Sequence, residues 1–256
     1  MSEMESIRSQ SIKRLDLTRR HFLKLVGLAG GGLAIGTHLK VLGEPATLVG
    51  SAELNAYVQI NEDGSVLIYS GAPEMGQGIK TSLPMIVAEE MGANWADVVV
   101  KQTPEVDTKK YGGQWTGGSY TLHLNWDLMR EMGATAREML ISAAAKQMEL
   151  PKKELKAENS RVVHIRTKEF RTFKELASLA SRQPVPRKED LVFKRQNDYS
   201  ILGTSKSQVD SYEIVTGSGD YGIDTQVDGM LYGYVRTCDR VGGKILSANL
   251  DDIRRE

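Results

Sequence analysis

Two glycine-rich segments, at residues 71–78 and 112–119, each stand directly before a segment with helical periodicity. Glycine lets a backbone turn sharply and approach a ligand closely. The free N–H groups at the start of a helix favour a bound anion. Two such loops in one domain therefore suggest a phosphate-bearing cofactor, although the same glycines could be ordinary turn residues.

The common nucleotide-binding motifs do not account for the first of these loops. Gly71 and Gly76 have the spacing of the Walker motif, but Gln77 and Gly78 stand where Lys and Ser or Thr are required. Gly76 and Gly78 begin a dinucleotide fingerprint, but Thr81 occupies the position of its third glycine. Neither motif explains the loop.

Apolar periodicity predicts a mixed chain of the α+β class. Alternating and Val-rich runs predict strands at 54–60, 66–69, 97–102, 162–165, 214–224 and 230–235. Apolar residues three or four positions apart predict a helix over 81–91 and a long helix that begins near Leu122 and ends no later than Pro151. Thr172 and Glu175 have the spacing of a capping box, which predicts another helix after them.

Charge and cysteine content argue against nucleic-acid binding and against an iron–sulfur cluster held by this chain alone. The 256-residue chain has 33 Lys plus Arg and 33 Asp plus Glu, so its formal charge is zero. A nucleic-acid-binding protein shows a basic patch, so this balance argues against nucleic acid as a partner. Cys238 is the one cysteine of the chain. Because an iron–sulfur cluster needs about four thiolates, any such cluster would lie on another chain.

The N-terminal segment has the pattern of an export signal. Arg19 and Arg20 precede the apolar run 25–35, which glycines interrupt. The run is too short for a transmembrane helix, which needs about 20 apolar residues. Residues 18–24 resemble the core of the twin-arginine translocation signal, so residues 1–43 would direct the folded protein through the twin-arginine translocase to the periplasm or cell envelope. An amphipathic first helix with a chance Arg pair is the alternative.

Both glycine loops resemble the molybdopterin-binding segments of the xanthine oxidase family of molybdenum hydroxylases. The resemblance of the first loop and its helix is carried by Glu74, Met75, Gly76, Gln77, Gly78, Thr81, Ala88, Glu89, Glu90, Met91 and Gly92. That of the second loop is carried by Gly117, Gly118, Ser119 and Tyr120. The chain is most similar to large subunits of the isoquinoline 1-oxidoreductase or aldehyde dehydrogenase type.

This resemblance implies two folded parts after the leader. A molybdopterin-binding α/β domain would cover residues 52–200, in part, and the beginning of an α/β hammerhead domain would cover residues 208–256. Pro184 and Pro186, in a charged stretch, mark a candidate boundary.

The resemblance also implies which residues contact the cofactor. In the first loop, Met75, Gly76, Gln77 and Gly78 would contact the pterin and its phosphate. In the second, Gly117, Gly118 and Ser119 would donate hydrogen bonds to the diphosphate of a molybdopterin dinucleotide, expected to be the cytosine form. The dithiolene of the pterin holds the molybdenum in this family, so a cluster of protein metal ligands is not expected.

The activity implied by the resemblance is hydroxylation of an N-heterocycle or an aldehyde with water as the oxygen source. Electrons would pass to [2Fe–2S] clusters on a small partner subunit and then to an acceptor such as a cytochrome. The catalytic glutamate of the family lies in a C-terminal half without a counterpart in these 256 residues. We therefore expect an N-terminal portion that is inactive alone. The alternative is an exported, non-catalytic binding or assembly protein that keeps the glycine loops as structure.

Other titratable residues are expected to be structural. Glu74, Glu89 and Glu90 are candidate acids by position, but a charged helix face or a carboxylate at a helix end is the favoured interpretation. His123 and His164 are isolated in the sequence and are expected to be surface or satisfied core residues rather than ligands.

Overall fold

The computed structural model of the protein describes residues 34–36, 56–104 and 106–253. The predicted leader, apart from a short strand at Ala34–Gly36, and with it both signal arginines, lies outside the described residues. Contacts divide the chain into two compact units, Met1–Ser211 and Tyr212–Glu256.

Four strands of the first unit form one sheet in the order β1-β2-β3-β4. The strands are β1 (Ala34–Gly36), β2 (Ala56–Ile60), β3 (Val66–Ser70) and β4 (Val98–Gln102). The β2–β3 pair is antiparallel, as the Asp-Gly turn predicted, and Gly64 takes a left-handed φ of 96° in that turn. Strand β4 is parallel to β3, so the chain between them must cross over the sheet.

The crossover contains helix α1 (Ile79–Met91), and the first glycine loop connects β3 to it. After β4 come a short helix α2 (Thr108–Tyr111), the second glycine loop and the long helix α3 (Thr121–Met148). Helix α1 packs against α3 at Gly133, where an added Cβ would lie 2.4 Å from the Val87 carbonyl oxygen. The helix periodicity predicted from the sequence is confirmed by the buried Leu83, Ile86, Met129 and Leu140.

A second, antiparallel sheet follows α3 and contains β5 (Leu155–Glu158), β6 (Arg161–His164) and β7 (Phe170–Thr172). Helix α4 (Phe173–Ala180) begins with the predicted capping box. The Thr172 hydroxyl oxygen accepts from the Glu175 N–H at 3.2 Å, and the Thr172 N–H donates to the Glu175 carboxylate at 2.7 Å. Because Phe173 and Leu176 are fully buried, the box fixes the start of a helix that contributes to the core.

The chain does not leave the first unit at Pro184 and Pro186. Leu191 and Ile201 are buried beyond these prolines. The contact boundary instead lies between Ser211 and Tyr212, at the start of helix α5 (Ser211–Thr216).

The strands predicted at 214–224 and 230–235 are wrong. Residues 214–216 belong to α5, Gly222–Asp224 form a single 3-10 turn, and no residue described from 212 to 253 is in a strand. A strand needs a neighbour for its N–H and C=O groups and a surface on which to bury one face. The described part of this unit offers neither, since Leu231 is 92% exposed and Val235 is 81% exposed. Helix α6 (Leu250–Ile253) completes the described part of this unit.

No helix in the described ranges is both long and apolar enough to span a membrane.

Candidate functional site

The two glycine loops lie side by side, each at the N-terminal end of a helix. The Thr116 hydroxyl in the second loop donates to the Pro73 carbonyl in the first at 2.7 Å. The second loop is also tied to the end of β4, because the Gln114 side-chain amide donates to the Thr103 hydroxyl at 2.8 Å. The fold therefore joins two loops whose bonded residues, Pro73 and Thr116, are 43 positions apart in the sequence.

Glu74 organises the first loop. Its carboxylate accepts from the N–H groups of Gly76 at 2.8 Å, Gly78 at 2.9 Å and Lys80 at 2.8 Å. Partial burial alone would raise the pKa of Glu74, but these backbone donors outweigh it and hold the pKa below its usual value. The expectation of free N–H groups at this helix start is therefore wrong for Gly76 and Gly78: a carboxylate of the loop itself occupies the position of the anion.

The predicted contact residues Met75 and Gln77 are at the surface of the first loop. Met75 is 73% exposed. The Gln77 side chain accepts from the Met75 N–H at 2.7 Å and donates to the Pro73 carbonyl at 3.1 Å. A carboxamide has two donor hydrogens and two acceptor lone pairs, so Gln77 keeps one donor and one acceptor for a ligand. Gly76, with a φ of 102°, has no heavy atom within 4 Å of an added Cβ, so the space above it is open.

The second loop keeps its backbone donors available. Gly118 and Ser119 have successive left-handed φ angles of 58° and 61°. A left-handed conformation is unfavourable for serine and persists where the surrounding structure fixes it. Among the described residues, no acceptor is hydrogen-bonded to the N–H of Gly118 or Ser119 or to the Ser119 hydroxyl. These three groups can therefore donate to an anion.

An aromatic ring covers part of the second loop. A Cβ on Gly117 would lie 2.8 Å from the Trp115 ring, so glycine is needed there for the ring to lie against the backbone. Trp115 is 52% exposed and Tyr120 is 60% exposed. Each loop thus has an exposed side chain of the kind that packs against a planar heterocycle, Met75 at the first loop and Trp115 and Tyr120 at the second.

A third segment, which sequence reasoning missed, packs against α1. We call residues 194–210 the strap. Glu89 is fully buried and accepts from the N–H groups of Ser200 at 2.8 Å, Ile201 at 2.6 Å and Leu202 at 3.1 Å. It also accepts from Lys194 Nζ at 2.7 Å. These donors outweigh the effect of burial and place the pKa of Glu89 below its usual value.

Glu90 makes a second buried charge cluster beside Glu89. Its carboxylate pairs with Arg130 at 2.6 Å and Arg137 at 3.1 Å, and it accepts from the Lys194 N–H at 3.0 Å. The interpretation of Glu89 and Glu90 as a charged helix face is therefore wrong. The sequence did not reveal these pairs because the partners are distant: the strap is more than 100 residues away, and Arg130 and Arg137 are 40 and 47 residues from Glu90.

The strap ends against the first turn of α1. The Val209 N–H donates to the Thr81 hydroxyl oxygen at 3.0 Å, and Lys80 pairs with Asp210 at 3.3 Å. The residue before Val209 is Gln208, and its Nε2 lies 3.3 Å from the position that a Cβ on Gly78 would take. The strap thus reaches the first glycine loop.

No group of three or more His, Cys, Asp or Glu residues within the described ranges could hold a metal ion. His123 is exposed. His164 is buried, with its Nδ1 2.6 Å from the Thr167 hydroxyl and its Nε2 3.3 Å from Glu154, so the predicted surface and satisfied-core roles are confirmed. A cavity of about 840 Å³ lies elsewhere, between β5 and residues 192–200, and includes none of the predicted contact residues.

The donor set and the open space fit a phosphate-bearing heterocycle. The second loop offers N–H and hydroxyl donors that no described residue pairs with, and the first offers an uncharged carboxamide beside open space at Gly76. The ionised Glu74 carboxylate disfavours a second anion at the start of α1. Phosphate would therefore bind at the second loop, and an uncharged ring at the first.

Comparison with known proteins agrees with this chemistry. The model of the molybdopterin cofactor-binding domain family matches residues 17–217. The beta chain of isoquinoline 1-oxidoreductase from Brevundimonas diminuta is 30% identical over 86% of this chain and 33% of its own length. A nicotinate dehydrogenase chain of Pseudomonas putida is 32% identical over 72% of this chain and 15% of its own.

A third relative is the membrane-bound aldehyde dehydrogenase [pyrroloquinoline-quinone] of Gluconacetobacter polyoxogenes, which is 28% identical over 78% of this chain and 26% of its own length. The chain spans a third or less of the length of these relatives. Because the family model covers most of the chain, including both glycine loops and the strap, the chain belongs to the family of molybdopterin cofactor-binding domains found in molybdenum hydroxylases.

Proposed function

We propose that the two glycine loops hold a molybdopterin dinucleotide, in its cytosine form, within an oxidoreductase that hydroxylates an N-heterocycle or an aldehyde with oxygen from water. The observation that carries the proposal is the hydrogen bond from Thr116 to Pro73. It joins the loops while the N–H groups of Gly118 and Ser119 have no acceptor among the described residues.

The two loops would bind different parts of the cofactor. Gly118 and Ser119 donate to the diphosphate, and Gly117 lets the backbone of that loop lie close beneath the Trp115 ring. Met75 and Gln77 contact the pterin over the open space at Gly76. Gly78 is the N-cap residue of α1, and its left-handed φ of 83° directs the loop into the helix.

Glu74 is a positioning residue in this proposal. Its three backbone hydrogen bonds hold the first loop in one conformation, so the loop loses little conformational entropy when the cofactor binds. Its negative charge also favours the uncharged ring over the diphosphate at this position.

The bound cofactor would supply the metal and the two-electron oxidation of the carbon substrate, and its dithiolene would supply the metal ligands. The residues of this chain bind and orient it. With Cys238 as its one cysteine, the chain would depend on an iron–sulfur small subunit to carry electrons to an acceptor such as a cytochrome.

The export signal is part of the same proposal, because a twin-arginine translocase moves folded, cofactor-loaded proteins. Replacing Arg19 and Arg20 with lysines should leave the loaded protein in the cytoplasm, as measured by cell fractionation and immunoblotting. A periplasmic signal equal to that of the wild type would contradict the assignment of 1–43 as a twin-arginine leader.

The enzymatic proposal is tested with the full-length protein co-produced with its iron–sulfur partner. Quinoline-type heterocycles and aldehydes are offered with a phenazine dye as electron acceptor in ¹⁸O-labelled water. Dye reduction with ¹⁸O in the product is the expected result. A loaded protein that turns over no member of either substrate class would favour the non-catalytic binding protein instead.

A further inference from the structure

The strap brings a glutamine to the first glycine loop. Gln208 lies more than 100 residues after this loop in sequence, yet its Nε2 is 3.3 Å from the position of a Cβ on Gly78. The left-handed φ of 83° favours glycine at position 78, and the Gln208 side chain lies close to the space that a larger residue would fill.

The backbone that carries Gln208 is fixed on both sides. The residue after it, Val209, donates its N–H to the Thr81 hydroxyl oxygen at 3.0 Å, and Asp210 pairs with Lys80 at 3.3 Å. Upstream, the buried Glu89 carboxylate holds the N–H groups of the strap at Ser200 to Leu202. Gln208 is thus held by the contacts of the strap with α1 rather than by contacts of its own side chain.

The Gln208 carboxamide has no hydrogen-bond partner among the described residues. A half-buried amide normally hydrogen-bonds to protein or to water, since leaving its groups unpaired is unfavourable. Glu74 already occupies the nearby N–H groups of Gly76 and Gly78. The Gln208 donor and acceptor are therefore available at a loop whose own backbone donors are used.

We propose that Gln208 is a cofactor-binding residue whose carboxamide hydrogen-bonds to the pyrimidinone edge of a pterin bound at the first glycine loop. That edge combines adjacent N–H donors with nitrogen and carbonyl acceptors, and an uncharged carboxamide offers both complements. The inference rests on the proposed function, since it assigns a further contact to the same site. It also gives the strap a role, because the strap forms the third side of the pterin site.

The test measures cofactor retention by the full-length protein purified with its partner subunit. Gln208→Leu removes both hydrogen-bonding groups at similar size, and Gln208→Glu keeps an acceptor but removes the donors and adds a charge near Glu74. Gln196→Leu is the matched control, because Gln196 is an exposed glutamine of the same strap. Each protein is incubated and repeatedly desalted, and the molybdenum and pterin that remain bound are measured over time.

We expect Gln208→Leu to lose pterin about three- to tenfold faster than the wild type, as for the loss of one or two hydrogen bonds. Gln208→Glu should lose it faster still, and Gln196→Leu should match the wild type. The thermal unfolding midpoints of the cofactor-free proteins should be equal. If Gln208 had only a structural role, the midpoint of Gln208→Leu would be lower than that of the wild type.

Each outcome decides a separate question. If the wild type contains no pterin, the proposed function and this inference both fail. If the wild type is loaded and both Gln208 variants retain pterin at the wild-type rate, only the inference about Gln208 fails. If Gln208→Leu does not fold, the isosteric Gln208→Glu carries the comparison alone.

Discussion

Removing the Glu89 carboxylate should detach the strap. The side chain is fully buried and accepts three backbone N–H groups and one lysine ammonium, at 2.6 to 3.1 Å. Deleting one partner of a buried charged pair costs about 3–5 kcal/mol. Glu89→Ala should therefore lower the free energy of unfolding by about 3–5 kcal/mol. Glu89→Gln keeps an acceptor oxygen but turns an NH₂ group toward other donors, so its loss should be smaller, about 2–3 kcal/mol.

The assay is urea unfolding followed by limited trypsin digestion. The strap has three trypsin sites, Lys194, Arg195 and Lys206. Trypsin needs a locally unfolded backbone, so a detached strap should be cut at these sites before the rest of the chain unfolds. Glu158→Ala is the control, because its ion pair with Lys156 is exposed and should be worth less than about 1 kcal/mol. A Glu89→Ala protein within about 1 kcal/mol of the wild type, with an uncut strap, would refute the reasoning.

The pH dependence gives a second check on Glu89. Its pKa in the folded protein lies below the ordinary value of 4.5. The stabilisation is therefore complete above pH 4.5 and is lost as the pH falls through the lower, folded value. The difference in unfolding free energy between the wild type and Glu89→Gln should be constant near neutral pH. It should become smaller as the pH falls below 4.5. A difference that grows with acidification would contradict the hydrogen-bonding scheme.

Three further predictions concern the frame around the site. Gly133→Ala would place a carbon 2.4 Å from the Val87 carbonyl oxygen. It should lower the free energy of unfolding, measured in urea, by about 1–3 kcal/mol. Gly233→Ala is the control and should leave stability unchanged, because the space around Gly233 is open. Thr172→Ala removes the helix cap and should lower stability by about 1 kcal/mol by the same measurement, and no change would mean that the capping box is not maintained in solution. The pKa of Glu74 is also lowered from 4.5. Amide hydrogen exchange in the first loop should therefore stay slow above pH 4.5, and its protection relative to the intrinsic rate should fall below pH 4.5. Glu74→Ala should lack this protection at every pH.

Local sequence signals predicted the elements that position the site. The Asp-Gly hairpin, the apolar periodicity of α1 and α3, and the capping box at Thr172 each depend on neighbours within a few residues, and all are confirmed. Such patterns also placed both glycine loops directly before their helices. The hydrogen bond from Thr116 to Pro73 that joins the loops could not be predicted, because it depends on how β3 and β4 pair.

The wrong predictions share a physical cause. Glu89 and Glu90 look like surface residues in the sequence, because their partners are distant: the strap donates to Glu89 from more than 100 residues away, and Glu90 pairs mainly with Arg130 and Arg137 of α3. Residues 230–235 are rich in apolar and aromatic residues, as strands are, but without an adjacent strand to pair with, propensity alone does not form a sheet. Glu74 is different: the favoured interpretations included a carboxylate at a helix end, and that role is confirmed because its hydrogen bonds span only two to six residues.

The central claim is that a pterin dinucleotide binds at the joined glycine loops. The most direct measurement is the pterin dinucleotide released per chain from the denatured full-length protein, identified and counted by mass spectrometry. Ser119→Glu places a carboxylate where the diphosphate would bind, and Ser178→Glu places the same group on an exposed position of α4. We predict close to one dinucleotide per chain for the wild type and for Ser178→Glu, and little or none for a folded Ser119→Glu. Equal loading of both variants, or a folded wild type without pterin, would contradict the account.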